Sequence, residues 1–218
     1  KENQMLFKLQ TCLVGSMREF LLKKNFHEIH TPKLIGAASE SGSEVFEVKY
    51  FDRNAYLAQS PQFYKQMAMA AGLERIFETG PVFRAEKSYT NKHATEFTGF
   101  DLEFSYIESF DDVMKMEEEL LTYALEKVAE KHGEEIKANY GLEVIVPKLP
   151  FPRMKLADVY AELEARYGYT VPDELKGDLT TEAERMTKQL CKDMFNHEFL
   201  FITDYNAAER AFYHMRDE

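Results

Sequence analysis

The chain has 218 residues, 44% of them hydrophobic, which is enough to bury one substantial core, and a single α/β domain is the default expectation. A formal net charge of −11 argues against a general nucleic-acid binder, because non-specific affinity comes from neutralising phosphates with Lys and Arg, so any RNA contact must be local. Cys12 and Cys191 lie far apart without a histidine at metal-like spacing, which supports neither a disulfide framework nor a zinc site, and no membrane-length apolar run or signal-peptide pattern occurs, so a reducing cytoplasm fits best.

From Met5 to Phe26 the residues Leu6, Leu9, Leu13, Met17, Phe20 and Leu21 recur at helical spacing and predict a long helix packed on a sheet. The run Phe26 to Leu34 is extended in character, with Pro32 tolerated mainly at a strand edge or end. Gly36 to Glu44 is small, polar and acidic, and reads as a loop, for which a plain connector is the bland alternative. Strand patterns follow at Val45 to Tyr50 and Ala55 to Gln59. The octet Gln59-Ser60-Pro61-Gln62-Phe63-Tyr64-Lys65-Gln66 is a turn into a helix, with Pro61 in its first turn and Gln62 and Lys65 on one face. A lone Lys on a helix is ordinarily solvated.

Gly80 to Phe104 reads as two alternating strands joined by a polar loop, Lys87 to Thr95. Val82, Arg84 and then Glu86 fall on one face and Phe83 and Ala85 on the other. In the return strand Phe100, Leu102 and Phe104 form an apolar face, leaving Asp101, Glu103 and Ser105 on the open one. Acids therefore sit beside an arginine on one sheet face, and the loop carries Lys87, Lys92 and His93, a composition suited to folding over a polyanion. A salt-bridged surface hairpin is the bland alternative.

Beyond this block, Asp111 to Lys131 predicts an amphipathic helix with Val113, Met116, Leu120, Ala124 and Val128 inward, Ser109 and Asp112 suited to its capped start, and the acidic cluster Glu117 to Glu119 on a solvated face. Gly133 to Pro152 is a polar connection followed by the apolar, extended run Leu142 to Val146. A helix near Leu156 to Tyr167 comes next, then one capped by Thr181 with Glu184 and running to about Met194. Phe199 to Tyr205 reads as a buried strand ending in a polar turn.

The order Gly-Pro-Val-Phe-Arg-Ala-Glu, a loop, then Lys-His-Ala-Thr-Glu-Phe-Thr and Asp-Leu-Glu resembles motif 2 of the class II aminoacyl-tRNA synthetases, in the aspartyl, asparaginyl and lysyl subgroup. The helix, strand and Pro32 resemble motif 1, and the Gln59 to Gln66 octet resembles the aspartate-recognition segment of aspartyl-tRNA synthetases. Pro150 to Arg153 and the Phe-Ile-Thr-Asp-Tyr run resemble their archaeal and eukaryotic-like branch. The resemblance implies an α+β fold, an antiparallel β-sheet flanked by helices. It also implies that residues 1–218 form a catalytic domain with motifs 1 and 2, lacking the N-terminal anticodon-binding barrel and, at the C-terminus, motif 3. A segment of a longer synthetase, a paralogue that passes an aspartyl-adenylate to ammonia, and a non-catalytic dimerisation or binding module are the three explanations it leaves open.

By the same resemblance Arg84 would hold the α-phosphate of ATP and act in catalysis, Glu86 would accept from the adenine amino group, His93 would reach the γ-phosphate and Phe97 would stack on adenine. The residue types suit these tasks, since a guanidinium is a rigid fork for phosphate oxygens and an aromatic face supports a purine. Lys92 stands where relatives usually have arginine, and Ser41 where they commonly have glycine. Lys65 would pair with the substrate β-carboxylate, Ser60 and Gln62 would position the amino acid, and Glu40 and Asp101 would hold its ammonium. Glu103 would serve as a magnesium holder or as the structural partner of a nearby arginine. Aspartate, ATP, Mg2+ and tRNA for aspartate are implied as substrates and cofactor, with tRNA for asparagine left open. Pro32 would lie in a homodimer interface.

Overall fold

A computed structural model describes residues 2–37, 45–85 and 94–210. The chain divides into two compact units, one of Gly15–Phe110 and one of Lys1–Val14 with Asp111–Glu218. Helix α1 (Glu2–Lys23) supplies residues to both.

In the Gly15–Phe110 unit, α1 ends in a left-handed turn at Asn25, with φ of 63°. Phe26 N–H donates to Leu21 O at 3.0 Å and Asn25 N–H to Leu22 O at 3.1 Å, which satisfies two terminal carbonyls and sends the chain into the sheet. Strand β1 (His27–Glu28) then pairs in parallel with β5 (Arg75–Phe83), after β2 (Leu34–Ile35), β3 (Glu47–Tyr50), β4 (Arg53–Leu57) and helix α2 (Gln62–Ala70). Strand β6 (Glu96–Phe104) runs antiparallel to β5, from the Arg75↔Phe104 pair to Phe83↔Glu96. The sheets have the orders β1-β5-β6 and β2-β4-β3, and Phe83 N–H joins them by donating to Ala58 O at 2.9 Å.

The alternation expected of β6 holds. Phe100 stacks on Phe77 and Phe104 meets Phe26 edge-on, so the apolar face of β6 is core. Strand β5 begins five residues before the Gly80 expected from sequence, because Ile76 and Phe77 are fully buried and turn signals are lacking between them and Gly80. Pro61 occupies the N-cap position of α2 instead of its first turn.

In the other unit, Met5 and Cys12 of α1 pack on Val128 and Ile136 of α3 (Phe110–Tyr140). Helix α3 continues through Gly133, nine residues past the expected end at Lys131. Burial of Ile136 offsets the roughly 1 kcal/mol that a helical glycine costs. Met114 is buried where Val113 was expected inward, Val113 being exposed. The Glu117 to Glu119 cluster is not wholly solvated: Glu118 is 5% exposed, accepts from Phe151 N–H at 2.9 Å and lies 3.6 Å from the Arg153 guanidinium. Residues 142–146 form no strand, and of that run Val144 packs on the α1/α3 cluster.

Strands β7 (Arg153–Lys155) and β8 (Phe201–Thr203) pair in parallel beside α4 (Leu156–Tyr167) and α5 (Thr181–Phe195), around Val159, Leu163, Ala183 and Leu190. The strand expected over Phe199 to Tyr205 is confined to β8 and is half-buried. Thr180, one position before the expected Thr181, caps α5 by accepting from Ala183 N–H at 3.1 Å. Both cysteines are buried free thiols, and burial pushes Cys191 up. Among the described residues, no helix is long and apolar enough to cross a membrane.

Candidate functional site

One face of β5 and β6 carries a group of buried and half-buried charges of the Gly15–Phe110 unit. In an antiparallel pair, directly opposed residues project from the same face. Glu78 opposes Asp101, Gly80 opposes Gly99 and Val82 opposes Phe97, with Glu103 one alternation beyond Asp101.

Helix α2 delivers Lys65 to this face. Ser60 Oγ accepts from Gln62 N–H at 3.3 Å, shaping the turn, and Lys65 N–H donates to Pro61 O at 2.9 Å, closing the first helical turn. Lys65 is 6% exposed, and its Nζ lies 2.9 Å from Asp101 Oδ1 and 3.4 Å from Glu103 Oε2. Carboxylates two residues apart on one strand are spaced so that a single ammonium reaches both. Lys65 is therefore a buried, doubly paired cation, unlike the solvated lysine its helical setting suggests. Gln62, three residues earlier, is half-buried.

Arg84 follows the last residue of β5, and its N–H extends the ladder by donating to Thr95 O at 2.9 Å. Its guanidinium carbon sits 5.6 Å from the centre of the Phe97 ring, while Arg84 Nε is buried without a hydrogen-bond partner among the described residues. A buried donor without a partner is costly, and an anionic oxygen is one group that would satisfy it. Phe97 is half-exposed, its ring open to the same side.

The structure thus brings Ser60, Gln62, Lys65, Arg84, Phe97, Asp101 and Glu103 into one unit, with the last five on or against one sheet face. Glu40, Glu86, Lys92 and His93 lie outside the described residues. Pro32 is exposed, between β1 and β2. Among the described residues Glu103 pairs with Lys65.

Sequence reasoning missed Lys33 and Glu78. Glu78 is 3% exposed, and Thr31 donates to both of its carboxylate oxygens, through N–H and Oγ1–H, at 2.7 Å each. Lys33 Nζ lies 3.1 Å from Glu78 Oε1. The available signal was the alternation Glu78, Gly80, Val82, Arg84, which puts Glu78 on the arginine's face. An apolar cavity of about 760 Å³ lined by Phe63, Met67 and Ala70 lies on another side of α2 and includes none of these charges. Among the described residues, no group of three His, Cys, Asp or Glu side chains is placed to hold a metal ion.

The chain is similar to known proteins along almost its whole length. The aspartate–tRNA(Asp/Asn) ligase of Methanopyrus kandleri is 44% identical over 217 residues, covering 99% of this chain and 48% of that protein. The aspartate–tRNA(Asp) ligase of Pyrococcus abyssi is 39% identical over 213 residues, 98% of this chain and 48% of the relative. The chain therefore spans about half the length of the curated relatives it matches. Among solved structures, the asparaginyl-tRNA synthetase of Pyrococcus horikoshii complexed with asparaginyl-adenylate superposes with a TM-score of 0.80 at 34% identity, over 97% of this chain and 47% of that one. The aspartyl tRNA synthetase of Entamoeba histolytica gives a TM-score of 0.79 at 35% identity, over 99% of this chain and 42% of its own. The family model described as tRNA synthetases class II (D, K and N) matches residues 1–218, and the chain belongs to that family.

Proposed function

We propose that this chain carries the amino-acid-activation site of an aspartate–tRNA ligase. The observation that carries the reading is the buried Lys65 ammonium between Asp101 and Glu103, on the same sheet face as Arg84 and Phe97. Aspartate offers a partner to each kind of charge there: its β-carboxylate goes to Lys65 and its ammonium to Asp101, with Ser60, Gln62 and Glu40 completing its seat. Asparagine would place a neutral amide against a desolvated cation, a mismatch worth several kcal/mol. The curated relatives, named as aspartate ligases, support the same choice.

ATP binds with its adenine stacked on Phe97 and its amino group donating to Glu86, its α-phosphate held by Arg84 and its γ-phosphate by His93. The α-carboxylate attacks the α-phosphorus in line, the bond to pyrophosphate breaks, and aspartyl-adenylate forms. A terminal ribose hydroxyl of tRNA then attacks the activated carbonyl and AMP departs. Neither step needs a protein nucleophile, so catalysis rests on positioning and on Arg84 facing the growing charge. The family resemblance also implies Mg2+; Glu103 is the carboxylate that would help hold it, although the described residues bring no group of three His, Cys, Asp or Glu together, and the ion would neutralise phosphate charge. A cytoplasmic homodimer with Pro32 at its interface, serving tRNA for aspartate and open to tRNA for asparagine, completes the proposal.

The test is aspartate-dependent exchange of pyrophosphate into ATP, by the 218-residue chain and by the protein at the length of its relatives. Exchange with aspartate and not asparagine is expected. Equal exchange with asparagine, or none with either amino acid at both lengths, overturns the reading.

A further inference from the structure

We propose that Lys33 is a further ligand-contacting cation of this site and that Glu78 is the residue that positions it, an inference that rests on the function proposed above. Glu78 is held by Thr31, whose N–H and hydroxyl each donate to one carboxylate oxygen at 2.7 Å. Lys33 completes the cluster, with Nζ 3.1 Å from Glu78 Oε1 and donating to Thr31 Oγ1 at 3.2 Å. The pair is asymmetric: the Glu78 side chain is 3% exposed and that of Lys33 is 22%. Lys33 is thus the member of the pair that keeps surface to offer, and Glu78 the one enclosed.

The glycine pair fixes where that ammonium lies. A Cβ on Gly80 would meet Lys33 Cε at 3.4 Å and Nζ at 3.5 Å, so the lysine stem runs over Gly80. A Cβ on the opposing Gly99 would come within 3.2 Å of Asp101 Oδ2. Side chains are absent at this rung, and charged groups lie flat across it. The rung sits one alternation from the Glu78↔Asp101 pair, toward Val82↔Phe97 and then Arg84.

Ligand connectivity does the rest. With the substrate ammonium on Asp101 and the α-phosphate on Arg84, the α-carboxylate that joins them crosses the glycine rung, where Lys33 is the cation at hand. Lys65 is engaged by two acids at the far side of Asp101 and reads the other carboxylate. The competing explanation is that Lys33 only neutralises the buried Glu78, in which case removing both charges together should be harmless.

That contrast sets the experiment, on the full chain. Calorimetry compares aspartate with 3-amino-4-hydroxybutanoate, which retains the ammonium and the side-chain carboxylate but carries a hydroxymethyl group in place of the α-carboxylate. In the double variant Lys33→Met with Glu78→Gln, folded as judged by circular dichroism, aspartate affinity is expected to fall tenfold or more while analogue affinity changes less than twofold. Wild-type aspartate affinity in the double variant, or equal losses for both ligands, overturns the contact. If the double variant does not fold, Lys33→Gln and Lys33→Arg decide: a loss confined to aspartate in the first and recovered in the second sustains the proposal, and equal effects on both ligands overturn it. A wild-type protein that binds neither ligand overturns the function proposed above instead.

Discussion

In Gly15–Phe110 the buried charges Lys65 and Glu78 stand on or against one sheet face together with Asp101 and Glu103, whereas the buried acid of the other unit, Glu118, ties α3 to the chain just before β7. Glu118 accepts a backbone N–H from Phe151 and faces Arg153, and its neighbours are structural elements. Both arrangements compensate a desolvated charge and leave a partner half-exposed, Asp101 at 31% and Arg153 at 33%, but Glu118 also accepts a backbone N–H, whereas the contacts of Lys65 Nζ are to side chains. Buried charge alone therefore does not mark a site. A buried charge held by side chains, on a sheet face shared with Arg84 and Phe97, is the better candidate, because a ligand can exchange into that network without displacing backbone.

The largest expected effect tests that difference directly. Lys65→Ala leaves Asp101 and Glu103 as unpaired neighbouring acids and removes the cation for the β-carboxylate, so aspartate-dependent exchange should fall below detection while asparagine is not gained. Unchanged aspartate dependence would show that Lys65 is structural in the same sense as Glu118. Arg84→Ala comes next, with a loss of roughly a hundredfold in the rate of adenylate formation, typical for removing one preorganised donor to developing charge. An effect within twofold would place Arg84 with the scaffold.

Glu118→Ala should reverse the pattern. Leaving Phe151 N–H and Arg153 without their buried acceptor should cost about 3 kcal/mol of stability in urea denaturation. The KM for aspartate of the folded fraction should stay within twofold. A changed KM with unchanged stability would erase the distinction between the two units.

Much of the site could be read in advance because strands alternate with period two: one arginine on one strand and acids at alternate positions on the next fix a common face. Alternation could have put Glu78 on that face too, but its pairing with Lys33 could not be read, because it joins residues 45 positions apart through a parallel β1–β5 contact that no local pattern encodes. The same limit explains α3. Periodicity allowed either Val113 or Met114 inward, and the choice fell to tertiary packing, as did the helix's passage through Gly133 and the burial of Glu118. Residues 142–146 have strand composition but no pairing partner, and composition without a partner makes no strand.

The smallest effect separates two adjacent threonines. An N-cap residue keeps an extended backbone while its side-chain oxygen accepts from the N–H two or three positions on. Thr180 meets both conditions, with φ of −68° and ψ of 159° and its hydroxyl oxygen on Ala183 N–H, whereas Thr181 is already the first helical residue of α5. Thr180 also shares a hydrogen bond of 2.9 Å with the Tyr169 hydroxyl, so its loss removes two contacts. Thr180→Ala should therefore lower stability by about 1 kcal/mol and Thr181→Ala by less than about half of that. The ordering, read from paired denaturation curves, matters more than either value: the reverse order would return the cap to Thr181 and its capping box with Glu184. Because α5 lies outside the Gly15–Phe110 unit, both variants should leave pyrophosphate exchange as it was.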